Sequence, residues 1–136
     1  VEEACAKLKE AGAKRTVILN VSGPFHSKML EGAGKKLGQV LDAIEIRKPA
    51  IPYAANVTAE YVTEAEPIKR LLMEQVSSSV RWQQSVETIL KDGVDTFIEI
   101  GPGRTLAGFV KKISSDVKIW NVGTLEDIEK TVEALL

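Results

Sequence analysis

Thr96-Phe97-Ile98-Glu99-Ile100-Gly101-Pro102-Gly103-Arg104-Thr105-Leu106 is the stretch that decides the architecture. Residues 96–100 have the branched and aromatic composition of a strand, and Gly-Pro-Gly ends it as a turn. Leu106, Phe109, Val110 and Ile113 then recur at helical spacing, and Val117 to Val122 reads as another strand. Strands separated by a helix need a crossover connection, so they run parallel. The class is α/β, with a largely parallel sheet.

Working outward, the same alternation continues in both directions. Residues 2 to 11 carry Ala4, Leu8 and Ala11 at helical spacing, and Gly12 is a natural stop. Arg15 to Val21 is rich in branched apolar residues and predicts a buried strand, broken by Ser22-Gly23-Pro24. Met29, Leu30, Ala33, Leu37, Val40, Leu41 and Ile44 mark one face of a second helix. Gly32, Gly34 and Gly38 weaken that helix by about 1 kcal/mol each relative to Ala, unless close packing needs them small. Residues 51–56 predict a short strand that Pro52 restricts to an edge or a strand start. A helix follows over 66–76, with Pro67 in its first turn. Ser77 to Ser79 break it, and a further helix uses Trp82, Val86, Ile89 and Leu90 before Gly93. Thr124 caps a final helix, with Glu126 and Asp127 in its first turn. The chain reads as one compact unit, without an internal repeat or a long linker.

Composition narrows the function classes. The 136 residues are 44% hydrophobic and 27% charged, the balance of a globular protein. A net charge of −1 provides no basic field for nucleic acid. No apolar run approaches membrane-spanning length, and the first residues, Val1 to Cys5, are acidic rather than signal-like. Cys5 is the lone cysteine, so it has no disulfide partner in the chain, and its Ala neighbours predict a small core residue. That usage suits a reducing compartment such as the cytoplasm. With a single histidine as well, no metal site is expected. The chain opens in mid-helix and without methionine, which predicts a fragment of a longer protein.

His26, the single histidine, lies in Val21-Ser22-Gly23-Pro24-Phe25-His26-Ser27, where a strand gives way to a loop. An imidazole moves protons near neutral pH, and its second ring nitrogen needs an acceptor to set the tautomer. A surface or capping role fits the same position. No Gly-x-Ser-x-Gly elbow supplies a nucleophile, and Ser22 and Ser27 are better explained as loop caps. Gly101 to Thr105 opens a helix and is placed to bind an anion through backbone N–H groups. Leu106 replaces the third glycine of a dinucleotide fingerprint and Pro102 removes a donor, which favours a tight structural turn. Arg104 keeps the anion reading open. Glu99 reads as a solvated strand-end charge before a catalytic carboxylate, and Trp82 and Trp120 as packing residues.

Taken together, three blocks resemble the C-terminal part of the malonyl-CoA:acyl-carrier-protein transacylases. They are Val21 to Ser27; Gln75 followed by Val80-Arg81-Trp82 and its helix; and Phe97 to Leu106. The resemblance spans essentially the whole chain. It implies ping-pong transfer of malonyl from coenzyme A, through an acyl-serine, to the phosphopantetheine thiol of acyl carrier protein, in fatty acid biosynthesis. It implies that His26 is the catalytic histidine and that the backbone carbonyl of Gln75 accepts its other N–H. Phe25, Asn56 and Arg104 fall to substrate binding, Phe25 with a preference for malonyl over methylmalonyl. No cofactor is implied. The implied fold is the C-terminal part of an α/β hydrolase-like acyltransferase. Residues 1–14 would end a small ferredoxin-like subdomain and residues 15–136 would belong to the large domain. The family's Gly-His-Ser-x-Gly motif, malonate-binding arginine and oxyanion-hole glutamine are not in the chain. The isolated chain is therefore expected to be inactive without the N-terminal portion of the enzyme. A non-catalytic fragment binding coenzyme A or carrier protein, and a polyketide-synthase acyltransferase segment, are the alternatives.

Overall fold

Hydrophobic spacing becomes six α-helices and four short strands in the computed structural model, which describes residues 1–136. In chain order these are α1 (Glu2–Glu10), a 3-10 turn (Lys28–Leu30), α2 (Glu31–Leu41), β1 (Tyr53–Ala54) and β2 (Tyr61–Val62). There follow α3 (Ile68–Gln75), α4 (Trp82–Lys91), β3 (Thr96–Ile100), α5 (Thr105–Ile113), β4 (Lys118–Val122) and α6 (Leu125–Leu135). No helix is long and apolar enough to cross a membrane.

The expected crossover is present. β3 and β4 pair in parallel, Thr96 opposite Lys118 through Ile100 opposite Val122, with α5 between them. The α/β class therefore holds. A separate antiparallel hairpin, of which the sequence shows only the first strand, sets Tyr53 opposite Val62 and Ala54 opposite Tyr61. β2 is too short to show an alternating pattern, so composition alone could not reveal it.

Burial gathers in two nuclei. Ala55, Val62 and Leu71 form one, covered by Tyr53 and Ile68. Val86, Val110 and Val117 form the other, covered by Trp82, Leu90, Phe97, Ile113 and Ile119. Helix α4 and its N-cap lock them together. The Arg81 N–H donates to the Asn56 carbonyl at 2.9 Å, and Arg81 Nη1 donates to the Thr58 carbonyl at 3.2 Å. Thr88 Oγ1 donates to the Ala59 carbonyl at 2.8 Å.

Helices α2 and α3 approach closely because two glycines of α2 face Met73. A Cβ on Gly34 would sit 2.9 Å from the Met73 carbonyl oxygen, and one on Gly38 would sit 2.7 Å from the Met73 side chain. Both glycines are buried, whereas Gly32 faces open space. The apolar face expected of this helix is only partly used. Leu37 and Leu41 are half-buried, but Met29, Val40 and Ile44 are exposed.

Residues 15–21 depart from expectation. They form no strand, and Val17, Ile18, Leu19 and Val21 are all exposed. A strand exists only where a neighbour satisfies its backbone groups. Here the backbone makes only a tight turn, the Val21 N–H donating to the Leu19 carbonyl at 3.1 Å. Helix α1 buries no residue, so Cys5 is half-exposed rather than core.

Glu99 corrects a second expectation. Its carboxylate is not a solvated charge but closes the N-terminus of α5. It accepts the Leu106 N–H at 3.1 Å, the Ala107 N–H at 2.8 Å and Asn121 Nδ2 at 3.1 Å. The parallel register sets Asn121 directly beside Glu99. The intervening turn needs glycine, since Gly101 and Gly103 have φ of 133° and 97°. Helix α6 is closed by a capping box: Thr124 Oγ1 accepts the Asp127 N–H, and Asp127 Oδ2 accepts the Thr124 N–H.

Two predictions follow from this packing. Gly32→Ala should raise stability by up to about 1 kcal/mol through helix propensity. Gly34→Ala should lower it by about 1–3 kcal/mol, because backbone must move. Gly38→Ala should fall between them, since the flexible Met73 side chain can yield. Equilibrium denaturation of the three variants checks that order. The second concerns acid. The backbone N–H of Ala107 foremost holds the Glu99 carboxyl below the usual range, and the Thr124 hydroxyl foremost does so for Asp127. A carboxyl with a lowered folded pKa stabilises above its unfolded pKa, and that stability is lost as pH falls through the folded value. Glu99→Gln and Asp127→Asn should therefore flatten the fall in melting temperature below the ordinary carboxylate range. Thermal melts from neutral pH downward read this out.

Candidate active site

The loop before α2 is folded to present one ring. Ser27 Oγ donates to the Pro24 carbonyl at 2.7 Å, and the Leu30 N–H donates to the Ser27 carbonyl at 3.0 Å. Ser27 is thus a loop cap, as its position suggests. Between these anchors His26 adopts φ 58°, in the left-handed region that a side chain rarely occupies. Such strain persists only where the surroundings impose it.

The imposing contact runs from this loop to the end of α3. His26 Nδ1 lies 2.9 Å from the backbone carbonyl of Gln75. Gln75 is the last residue of α3, so its carbonyl belongs to the group a helix end leaves without an intrahelical donor. As the acceptor has no proton, Nδ1 must carry one, and Nε2 of the neutral ring is left with a lone pair. The carbonyl end of a helix also carries roughly half a negative charge, and that end faces the ring. His26 itself is exposed, and its Nε2 has no hydrogen-bond partner within the chain.

Around the ring is an open hollow lined by Phe25, His26, Leu30, Ala33, Gln75 and Val76. Phe25 stands at its side, its ring packed over Gly23 and 64% exposed. Leu30 and Ala33, on the apolar face that the spacing marks, line this hollow. Asn56 sits in an adjoining hollow with Tyr53, Ala54, Ala55, Leu71, Leu72 and Gln75. Gln75 borders both. The Asn56 side chain donates from Nδ2 to Gln75 Oε1 at 3.3 Å.

Arg104 is not brought to this place. It is the exposed N-cap of α5 and lines neither hollow. Nor do the α5 N–H groups form an open anion cradle, because the Glu99 carboxylate already accepts from Leu106 and Ala107. What the site can do is accept a proton at Nε2 from a group entering the hollow, and return it. No serine hydroxyl or cysteine thiol of the chain hydrogen-bonds that nitrogen.

Comparison with known proteins bears on what that group is. No protein-family model matches the chain. The malonyl CoA-acyl carrier protein transacylase of Bacillus subtilis (strain 168) is 45% identical over 135 residues, which is 99% of this chain and 43% of the relative. The crystal structure of the same-named protein from Clostridium perfringens superposes with a TM-score of 0.89 at 43% identity, covering 98% of this chain and 42% of that one. A malonyl-transacylase in complex with a type II polyketide-synthase acyl-carrier protein superposes equally well, with a TM-score of 0.89 at 37% identity and 98% and 43% coverage. The chain thus spans less than half the length of the relatives it matches. Over nearly its whole length, the chain is similar in sequence and in fold to these malonyl CoA-acyl carrier protein transacylases.

Proposed function

We propose that this chain is the C-terminal portion of a malonyl-CoA:acyl-carrier-protein transacylase and supplies its general acid and base, His26. The single observation that carries the proposal is the 2.9 Å contact between His26 Nδ1 and the Gln75 carbonyl, which leaves Nε2 free beside an open hollow. Residues 1–14 end the small ferredoxin-like subdomain, and residues 15–136 belong to the large one. Helix α1, with nothing buried, and the unpaired apolar run 15–21 are what such a division produces. The nucleophilic serine comes from the enzyme's N-terminal portion, outside these residues. The working place is the cytoplasm.

The chemistry runs in two halves. In the first, Nε2 takes the proton of the serine hydroxyl as its oxygen attacks the thioester carbon of malonyl-CoA. The tetrahedral intermediate collapses, the carbon–sulfur bond breaks, and the imidazolium returns the proton to the coenzyme A thiolate. In the second half the phosphopantetheine thiol of acyl carrier protein attacks the acyl-serine. Nε2 takes the thiol proton and delivers it to the leaving serine oxygen. While the ring is positively charged, the carbonyl end of α3 faces it and favours that charge. Phe25 borders the acyl group. Arg104 lies outside both hollows, so the arrangement gives it no part in holding the acyl group.

In the complete enzyme, His26→Ala should slow acyl-enzyme formation by about 10²–10⁴-fold, the range that general acid–base catalysis supplies. Rapid-quench measurement of malonyl loading tests this, and a wild-type burst in the variant would remove His26 from the role. The 136 residues alone should transfer no malonyl. Turnover by them would show that the nucleophile lies within the chain.

A further inference from the structure

We propose that Asn56 is a positioning residue for His26, acting through Gln75. The His26 tautomer depends on where one carbonyl oxygen lies, and that carbonyl belongs to the terminal residue of α3. Helix ends fray unless something outside the helix holds them. Beyond Gln75 the chain runs into Ser77, Ser78 and Ser79, whose own contacts with α3 are a Ser77 N–H to Glu74 carbonyl bond at 3.2 Å and little else. The hold on Gln75 comes from the side. Asn56 Nδ2 donates to its side-chain oxygen at 3.3 Å, from a half-buried place.

Asn56 is itself fixed. Its carbonyl accepts the Arg81 N–H at 2.9 Å, which ties it to the start of α4. The turn it opens is closed by the Ala59 N–H donating to the Ala55 carbonyl at 2.8 Å, and Thr88 on α4 holds Ala59 in turn. One residue therefore connects the hairpin, the end of α3 and the start of α4. Its backbone serves the fold, while its amide serves Gln75. Those two duties are separable by mutation. Asn56→Ala removes the amide and leaves the carbonyl in place.

This proposal rests on the reading of His26 as general acid and base only for its kinetic consequence. The tautomer can be read without any activity. In the full-length protein, ring-nitrogen NMR on isotopically labelled histidine, with the His26 signals assigned by their loss in His26→Gln, should show a smaller share of the Nδ1–H form in Asn56→Ala. The same variant should lose about three- to tenfold in kcat with KM within about twofold, the size of one hydrogen bond. Asn56→Asp should recover both, because the Gln75 amide can turn and donate to the carboxylate. Gln75→Ala keeps the carbonyl but loses the side chain, so it should match Asn56→Ala. The double variant should add nothing, since partners in one interaction are not additive. If Asn56→Ala does not fold, Gln75→Ala and its kcat and tautomer decide. An unchanged tautomer in folded Asn56→Ala, or multiplying effects in the double variant, overturns the proposal. A shifted tautomer in a protein that transfers no malonyl even as wild type would instead leave the positioning intact and remove the acyltransferase reading.

Discussion

The hydrogen bond from the His26 ring to the Gln75 carbonyl exists because α3 stops where it does. One more helical turn would give that carbonyl an intrahelical donor, and the imidazole would lose its partner. The site is therefore built on a helix end, and every neighbouring element limits where that end can be. Helix α2 lies close against α3 because Gly34 and Gly38 leave no Cβ between it and Met73. The 3-10 turn that opens α2 also carries the loop presenting His26. A shift of α2 relative to α3 would thus displace the ring from its acceptor, so the packing of two backbones sets the distance between them.

The second nucleus contributes at longer range. The α4–β3–α5–β4 unit touches the first through α4, where Arg81 at its N-cap and Thr88 within it donate to the carbonyls of Asn56, Thr58 and Ala59. These bonds pin the turn between β1 and β2, from which Asn56 reaches Gln75. The parallel pair is held at its C-terminal edge by Glu99, which draws β3, β4 and the first turn of α5 to one carboxylate. In many α/β folds that edge receives a ligand's anion. Here the chain's own anion fills it, which explains why the Gly101 to Arg104 turn looks like a phosphate site and is not arranged as one.

Local chemistry was legible in the sequence, and partnership was not. Thr96–Ile100 and the helix after it have the expected bounds because composition, turn glycines and period agree there. The Thr124 cap was visible for the same reason, with Asp127 three residues on. Arg15 to Val21 has equal strand composition yet forms no ladder, since apolar β-branched residues say that a segment wants a neighbour, not that one is within reach. Glu99 and Asn56 were misread or only half read because their partners lie on other elements. A glutamate at a strand end has the same letter whether it meets water or a helix N-terminus. The His26–Gln75 pairing came from resemblance; spacing gave only a ring in need of an acceptor.

That the acceptor is a backbone carbonyl has a consequence for the chemistry. A carboxylate in this place would attract the imidazolium with a full charge but would also bind protons itself, and the pair would titrate jointly. A carbonyl does neither. It cannot be protonated in the working range of pH, so the Nδ1–H tautomer is set by geometry alone. It offers only the partial charge of a helix end, a weaker pull on a charged ring than a carboxylate would exert. The weakness has a structural cost. A charge attracts over a distance, whereas a carbonyl must be in place to within a few tenths of an ångström to serve as an acceptor. Precision in the end of α3 therefore replaces strength in the partner. This is why a strained φ at His26, a glycine-mediated helix contact and an amide on Gln75 are concentrated around one oxygen atom.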